Sequence, residues 1–151
     1  MRNSSIVLLT FSGLLSARLN DDALKMLQDP GGWEYVKMSN GETGFQTTHV
    51  CFDGTPHRDE CSGNMLLRSD NTFMISVRIH GQVVNRRGKY DLKETQLAFY
   101  DEFGNLDGPY SLDLNTQTKA LVLSMPQVRI ELELEKEYKK VQSAKKKAHT
   151  P

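Results

Sequence analysis

Two stretches decide the fold: TFMISVRIH, residues Thr72–His80, and VRIELELE, residues Val128–Glu135. In each stretch large apolar side chains alternate with polar ones, so the apolar residues fall on one face of an extended chain. The same alternation recurs, with turn signals between segments, from Asn64 to Glu137. It predicts a mainly antiparallel sheet with one buried face and one solvated face. Consecutive hairpins of this kind hide their apolar face by rolling into a barrel or a tight sandwich.

The sequence predicts eight or nine short strands, almost all joined locally to the next. They are expected over Trp33–Met38, Gly44–Phe52, Asn64–Arg68, Thr72–His80, Gly88–Leu92, Gln96–Tyr100, Tyr110–Leu114, Leu121–Met125 and Val128–Glu135. Turn residues mark Ser39–Gly41 and Phe103–Pro109 as turns, and Asp53–Gly63 as a loop. The predicted fold class is therefore all-β: an up-and-down antiparallel barrel of about eight strands with a short N-terminal helix.

Charge is balanced overall but unevenly distributed. The 151 residues include 19 basic and 19 acidic side chains, for a formal net charge of zero. Residues 139–151 contain lysines and no acid, so the rest of the chain is acidic. An acidic body lacks the basic footprint that nucleic acid requires, and no nucleic-acid partner is expected. Two interpretations of the basic tail stay open: contact with phosphate or an anionic surface, and a solvated chain end, which is favoured.

The first 17 residues resemble a secretory signal peptide. Arg2 precedes an apolar core, Ile6–Leu15, and Ser16-Ala17 offers a small-residue cleavage site. The alternative is that Ile6–Leu15 is a strand or helix of the mature fold. No segment approaches the length of a membrane-spanning helix. The expected division is a signal peptide over 1–17, a barrel domain over 18–138 and a basic tail over 139–151, in a secreted or periplasmic protein.

A short helix is predicted over Asn20–Gln28, ahead of the first strand. This helix, the Gly31-Gly32-Trp33 element and the strands that follow resemble the lipocalin-like (calycin) barrels, whose Gly-x-Trp element packs its tryptophan across the barrel floor. The stretch from Asp70–Phe73 through Gly88–Tyr90 is similar to small bacterial lipocalin-like domains. The resemblance covers Gly31–Glu137 and lacks a clear second or third family motif. It implies a fold more than an activity.

Cys51 and Cys61 are the only cysteines. In an exported protein the pair is expected to be a disulfide, which closes a loop of nine residues and stabilises the fold by roughly 2–3 kcal/mol. Two alternatives stay open at this point, namely free thiols and a tetrahedral zinc site that also uses His49 and His57. The disulfide is the favoured interpretation, and neither a metal nor another cofactor is expected.

Two charged clusters are candidate functional sites. His57–Glu60 places an imidazole beside two carboxylates, but without a nucleophile elbow it is interpreted as a charged loop tip. A basic cluster around one hairpin offers a clamp for an anionic ligand or partner, although solvated outer residues are the favoured interpretation. The members of this basic cluster are Arg78, His80, Arg86, Arg87 and Lys89.

The side chains expected to face the interior are almost wholly apolar, with a few phenols and no carboxylate, imidazole or thiol. Such an interior cannot perform acid–base or nucleophilic chemistry, so no enzyme is predicted. It can hold a small hydrophobic ligand oriented by tyrosine hydroxyls, unless bulky side chains fill it. The predicted ligand-binding residues are Trp33, Tyr35, Phe73, Ile75, Tyr90, Phe99 and Tyr110.

The function predicted from the sequence is that of a secreted lipocalin-like protein that binds or carries a small hydrophobic molecule inside its barrel. The alternative is a solid barrel that engages a protein partner through its loops and N-terminal segment, in outline similar to small secreted protease-inhibitor barrels. A helix packed over the barrel end favours the carrier. An extended and flexible N-terminal segment favours the interaction protein.

Overall fold

The computed structural model describes residues 19–40, 47–51, 61–79, 81–140 and 143. The expected signal peptide, the charged cluster at 57–60 and most of the basic tail lie outside the described residues, as does His80. Within the described part the chain is mainly β, as the sequence predicts.

One helix precedes nine strands in the part of the chain that the structure describes. The helix, α1, spans Asp21–Leu27. The strands are β1 Trp33–Asn40, β2 Thr47–Val50, β3 Cys61–Leu67, β4 Thr72–Ile79, β5 Gln82–Lys93, β6 Gln96–Asp101, β7 Leu106–Asn115, β8 Ala120–Met125 and β9 Val128–Leu134. Residues 135–140, directly after β9, are helical again.

Eight of these strands close into an antiparallel barrel. Each strand from β3 to β9 pairs with the next along the chain, and β1 joins β3 to β9. The closing pair, β1 with β9, runs from Trp33 opposite Leu134 to Asn40 opposite Val128. The predicted fold class, an up-and-down barrel of about eight strands with a short helix before it, is confirmed.

The ninth strand, β2, shares one edge of β1 with β3. β3 pairs with the start of β1, where Trp33 lies opposite Met65. β2 pairs with the second half of β1, where Lys37 lies opposite Val50. β2 and β3 are therefore two parts of one interrupted strand that runs antiparallel to β1.

A disulfide closes this interruption. The Cys51 N–H donates to the carbonyl of Val36 at 2.7 Å and so continues the pairing of β2 with β1. Cys51 is bonded to Cys61, the first residue of β3, with their Cα atoms 4.4 Å apart. The predicted disulfide is confirmed. The alternatives of free thiols and of zinc bound by both thiolates are wrong, because the two sulfur atoms are bonded to each other.

The helix α1 forms where the sequence predicts it. The Asn20 side chain accepts a hydrogen bond from the Ala23 N–H at 2.8 Å and caps the helix start. Asp21 and Asp22 occupy the first turn, where negative charge is favourable. Ala23 and Leu27 are buried and hold the helix against the barrel.

Trp33 forms the barrel floor beneath α1. Its side chain is fully buried, and its Nε1–H donates to the carbonyl of Leu27 at 3.0 Å. The Tyr90 hydroxyl accepts from Gln28 Nε2 at 2.7 Å and donates to the carbonyl of Arg68 at 2.6 Å. These bonds connect the helix end to β1 and β5 and, through Tyr90, to the residue that follows β3. The helix therefore covers this end of the barrel.

β3 and β5 begin earlier than predicted because backbone pairing extends beyond the alternating side chains. β3 begins at Cys61 and not at Asn64, since it pairs with β4 over its whole length, from Cys61 opposite Ile79. β5 begins at Gln82 and not at Gly88, since it follows β4 back from the hairpin turn. Pairing with β4 therefore determines where both strands begin.

The ends of β1 and β9 also differ from the prediction. Ser39 and Asn40, predicted as turn residues, continue β1, because each pairs with β9 on one side and with β2 on the other. The last strand was predicted to include Glu135. It ends at Leu134, and the helical residues 135–140 follow.

The predicted turn Phe103–Pro109 is shorter than expected. The Asp101 carboxylate accepts hydrogen bonds from the N–H groups of Phe103 at 2.9 Å and Asn105 at 2.8 Å, which confines the turn to the residues just after β6. β7 then begins at Leu106, so the glycine and proline that follow lie inside a strand.

An acidic group lies on the outside of the barrel where β1 meets β9. Glu34 is half-buried and lies opposite Glu133. Burial, and secondarily the charge of Glu135, raises the pKa of Glu34 to about 7. Lys139 opposes this rise and pairs with Glu135 at 2.8 Å. Ionisation of Glu34 therefore destabilises the folded state relative to the unfolded chain.

We expect this group to make stability fall as the pH rises. Below the ordinary pKa of 4.5 both states hold the proton, and between 4.5 and about 7 the unfolded state releases it first. Glu34→Gln should abolish about 1–2 kcal/mol of the decrease in the free energy of unfolding that the wild type shows as the pH rises. This value is smaller than the full pKa shift implies, because water reaches the side chain and screens its charge. Urea unfolding at pH 5 and pH 8 measures this difference. Glu131→Gln is the matched control, and an equal pH dependence in Glu34→Gln and the wild type would contradict the prediction.

Candidate functional site

A cavity of about 180 Å³ lies inside the barrel, away from α1. All eight barrel strands contribute to its wall, mainly through the ends of β1 and β4 and the starts of β5, β7 and β9, which the antiparallel order brings together at the end opposite α1. We call this the far end of the barrel. The described lining residues are Tyr35, Met38, Met65, Ile75, Val77, Ile79, Val84, Arg86, Phe99, Asp107, Tyr110, Leu123 and Ile130.

One wall of the cavity is polar and charged. Arg86 Nη1 donates to Asp107 Oδ2 at 2.7 Å, and the Tyr110 hydroxyl donates to Asp107 Oδ1 at 2.7 Å. The Arg86 and Asp107 side chains are 31% and 27% exposed, so the ion pair lies at the boundary between the interior and water. The guanidinium carbon also lies 6.0 Å from the ring centroid of Phe73. The polar wall is thus a fixed group of two charges and a phenol against an apolar background.

Arg86 lines the cavity because of its position in β5. Tyr90 is buried, and alternate residues toward the start of the strand, Gly88 and Arg86, fall on the same face. Gly88 pairs with Phe73, while Arg86 pairs with Ile75. A Cβ at Gly88 would collide with the carbonyl oxygen of the neighbouring strand, so this position carries no side chain between Arg86 and the floor.

Asp107 lines the cavity because β7 contains a bulge. Leu97 pairs with Tyr110 and Phe99 pairs with Asp107, so β7 has one more residue than β6 between these pairs. The extra residue changes the alternation and places two side chains three positions apart on one face. Asp107 and Tyr110 therefore both reach the cavity.

The two phenols beside the ion pair are held in their neutral form. Burial raises the pKa of Tyr35 well above its ordinary value, and the positive charge of Arg86 opposes the rise only in part. Burial likewise raises the pKa of Tyr110, and its hydrogen bond to Asp107 adds to the effect. Both tyrosines are therefore neutral hydrogen-bonding hydroxyls beside the Arg86–Asp107 ion pair.

The predicted ligand-binding residues are divided between the cavity and the floor. Four of them line the cavity: Tyr35, Ile75, Phe99 and Tyr110. Three others are buried nearer α1 and are not among the described lining residues: Trp33, Phe73 and Tyr90. One edge-to-face ring contact connects the two groups, with the centroids of Phe73 and Phe99 4.9 Å apart. Within the cavity group, Phe99 also contacts Tyr110 edge to face, with centroids 6.0 Å apart.

Sequence reasoning missed the charged half of the site. The prediction that the interior holds no carboxylate is wrong, because Asp107 is part of the cavity wall. Arg86 was assigned to an outer basic cluster, yet Arg78, Arg87 and Lys89 are exposed whereas Arg86 is partly buried and paired. The alternation from Tyr90 back through Gly88 contained the signal for Arg86. No comparable signal existed for Asp107.

The wall offers hydrogen bonding more readily than covalent chemistry. Among the described lining residues there is no serine, threonine, cysteine, lysine or histidine. The described residues contain no group of three or more His, Cys, Asp or Glu side chains arranged to hold a metal ion. What the arrangement can do is bind: an apolar surface excludes water, and one polar wall orients a ligand.

Two further findings concern membrane-spanning helices and similarity to known proteins. No helix in the described part is long and apolar enough to cross a membrane. Comparison with protein-family models and with curated proteins gives no match. The closed eight-stranded barrel is compatible with a calycin-like fold.

Proposed function

We propose that the protein binds a small, mainly apolar molecule in the cavity at the far end of the barrel. The observation that carries this proposal is the cavity itself, which lies between strands and is lined by aliphatic and aromatic side chains with one polar wall. The packing of α1 over the opposite end supports the carrier over the interaction protein, because the helix closes that end and the cavity lies away from it.

The volume limits the ligand. Pockets for drug-sized molecules measure about 300–1,000 Å³, whereas a closed apolar cavity of about 150 Å³ accepts benzene. A cavity of about 180 Å³ therefore suits one ring or a short branched chain. A long fatty acid or a retinoid exceeds this volume. The ligand class is a compact apolar molecule with few non-hydrogen atoms.

We also propose that the protein works outside the reducing cytosol and that it is not an enzyme. The disulfide supports the first statement, since such bonds persist in secreted and periplasmic proteins. The second stays a prediction from the sequence, which carries no nucleophile motif with a neighbouring base.

The binding proposal is tested with fluorobenzene, whose ¹⁹F signal reports binding to the full disulfide-bonded protein. Val77→Phe places extra volume inside the cavity and should weaken binding at least tenfold, because the ring then occupies the space of the ligand. Val83→Phe is the matched control, since Val83 is 51% exposed and is not among the described lining residues. The proposal fails if the wild type does not bind, or if both variants bind equally well.

A second candidate function is protein binding at the rim of the far end. Two neighbouring hairpins expose apolar side chains there: Phe103 and Leu106 of β6–β7 are 83% and 56% exposed, and Val83 of β4–β5 is 51% exposed. A partner that binds the wild type but loses at least tenfold in affinity to Phe103→Ser would support this function. Unchanged fluorobenzene binding by the same variant would separate the rim from the cavity.

A further inference from the structure

The Arg86–Asp107 pair sets the chemical class of the ligand. We propose that the cavity selects a neutral molecule that carries one hydroxyl- or amide-type group on a compact apolar body. This inference rests on the proposed function, because it concerns the occupant of the same cavity. Arg86 and Asp107 determine the specificity of the cavity: among ligands of one size, their charges and hydrogen bonds favour one chemical class.

The hydrogen-bonding capacity of the wall comes from three side chains. A guanidinium carries five N–H donors, and the 2.7 Å bond from Arg86 to Asp107 uses one of them. Each carboxylate oxygen of Asp107 has two lone pairs and already accepts one hydrogen bond, from Arg86 or from Tyr110, so each can accept one more. The wall can therefore both donate to and accept from a single small group. A hydroxyl or a primary amide has this double capacity, whereas a hydrocarbon has neither part of it.

The charge of the wall argues against ionic ligands. Arg86 and Asp107 are 2.7 Å apart and neutralise each other. A ligand carboxylate next to Arg86 would also be next to the carboxylate of Asp107, and a ligand ammonium next to Asp107 would also be next to the guanidinium of Arg86. Either ion would lose its hydration in a mainly apolar cavity without a free counter-charge. The neighbouring hydroxyls of Tyr35 and Tyr110 are neutral and do not supply one.

The test compares four one-ring probes at pH 7: benzyl alcohol, toluene, benzoate and benzylamine. Their rings are the same, so differences in Kd report the group that meets the wall. We expect benzyl alcohol to bind the wild type about tenfold more tightly than toluene, the factor that one net hydrogen bond provides. Benzoate and benzylamine should bind more weakly than toluene. Ligand-observed NMR on the full disulfide-bonded protein measures all four.

Two substitutions reverse the selection if the inference is right. Asp107→Asn leaves Arg86 without its partner charge, so benzoate should become the tightest of the four probes. Arg86→Met leaves Asp107 alone, so benzylamine should become the tightest. Arg87→Met is the matched control, because Arg87 is 72% exposed, and it should keep the wild-type order. A purely structural ion pair would weaken every probe alike and would not reverse their order.

The outcomes separate this inference from the proposed function. If toluene binds the wild type as tightly as benzyl alcohol, the cavity binds ligands but the inference is overturned. If benzoate binds the wild type best, the inference is overturned in favour of an anion site. If no probe binds the folded wild type, the proposed function fails and the inference fails with it. The wild-type order alone decides the case if a variant does not fold.

Discussion

Trp33→Ala should lower the free energy of unfolding by about 3–5 kcal/mol, a large part of the stability of a domain of this size. Trp33 is fully buried at the start of β1, where two strands and α1 meet. Its removal leaves a cavity at the floor that the surrounding strands cannot close. It also leaves the carbonyl of Leu27 without its hydrogen bond from Nε1. Chemical denaturation followed by far-UV circular dichroism measures the loss.

Two further variants identify the source of this effect. Trp33→Phe retains much of the buried ring but removes the N–H, so about 1–3 kcal/mol should be lost. Tyr100→Ala removes an aromatic side chain that is 40% exposed on β6, and it should cost less than about 1 kcal/mol. If Trp33→Ala costs no more than Tyr100→Ala, Trp33 is not the centre of the floor.

Removal of the disulfide should have the second largest effect. Replacing both Cys51 and Cys61 with serine is expected to cost about 3 kcal/mol, the loop-closure value for a sequence separation of 10 residues. Because the bond connects the two parts of one interrupted strand, its loss also frees β2 from β3 at the edge of β1. Urea unfolding of the wild type and the double variant measures the difference.

A reducing agent provides the control for this experiment. It should destabilise the wild type by about the same amount as the double substitution and leave the double variant unchanged, since that variant has no bond to reduce. If the serine variant and the wild type unfold at the same urea concentration, the disulfide does not hold the interrupted strand together. The stability of β2 would then come from its backbone pairing with β1 alone.

Local periodicity was enough to predict most of the barrel. The alternation in Thr72–Ile79 and Val128–Leu134 places the same residues inside that the structure buries, because the side-chain period of a strand is a local property. The cap at Asn20 is likewise a contact between residues three positions apart. The disulfide followed from composition and the expected compartment, since no other cysteine was present to compete.

The charged wall of the cavity could be predicted only in part. Arg86 lies on the same face of β5 as Tyr90, because the two are an even number of residues apart. The alternation therefore predicts an inward side chain, whereas the charge of Arg86 favours the surface. The direction of Asp107 depends on a bulge, and a bulge is defined by pairing with β6, which the residues of β7 do not show by themselves. The volume of the cavity depends on how thirteen described side chains pack across the barrel, and no local sequence pattern predicts that volume.

The barrel should tolerate insertions at the interruption between β2 and β3. Its two boundaries, Cys51 and Cys61, have Cα atoms 4.4 Å apart and are covalently fixed, so the geometry of the barrel does not depend on the length of chain between them. Doubling that length should cost only about 0.6 kcal/mol in loop entropy. Homologues could therefore vary freely here, and an engineer could graft an epitope or a reporter peptide between the cysteines while the ligand cavity keeps its shape.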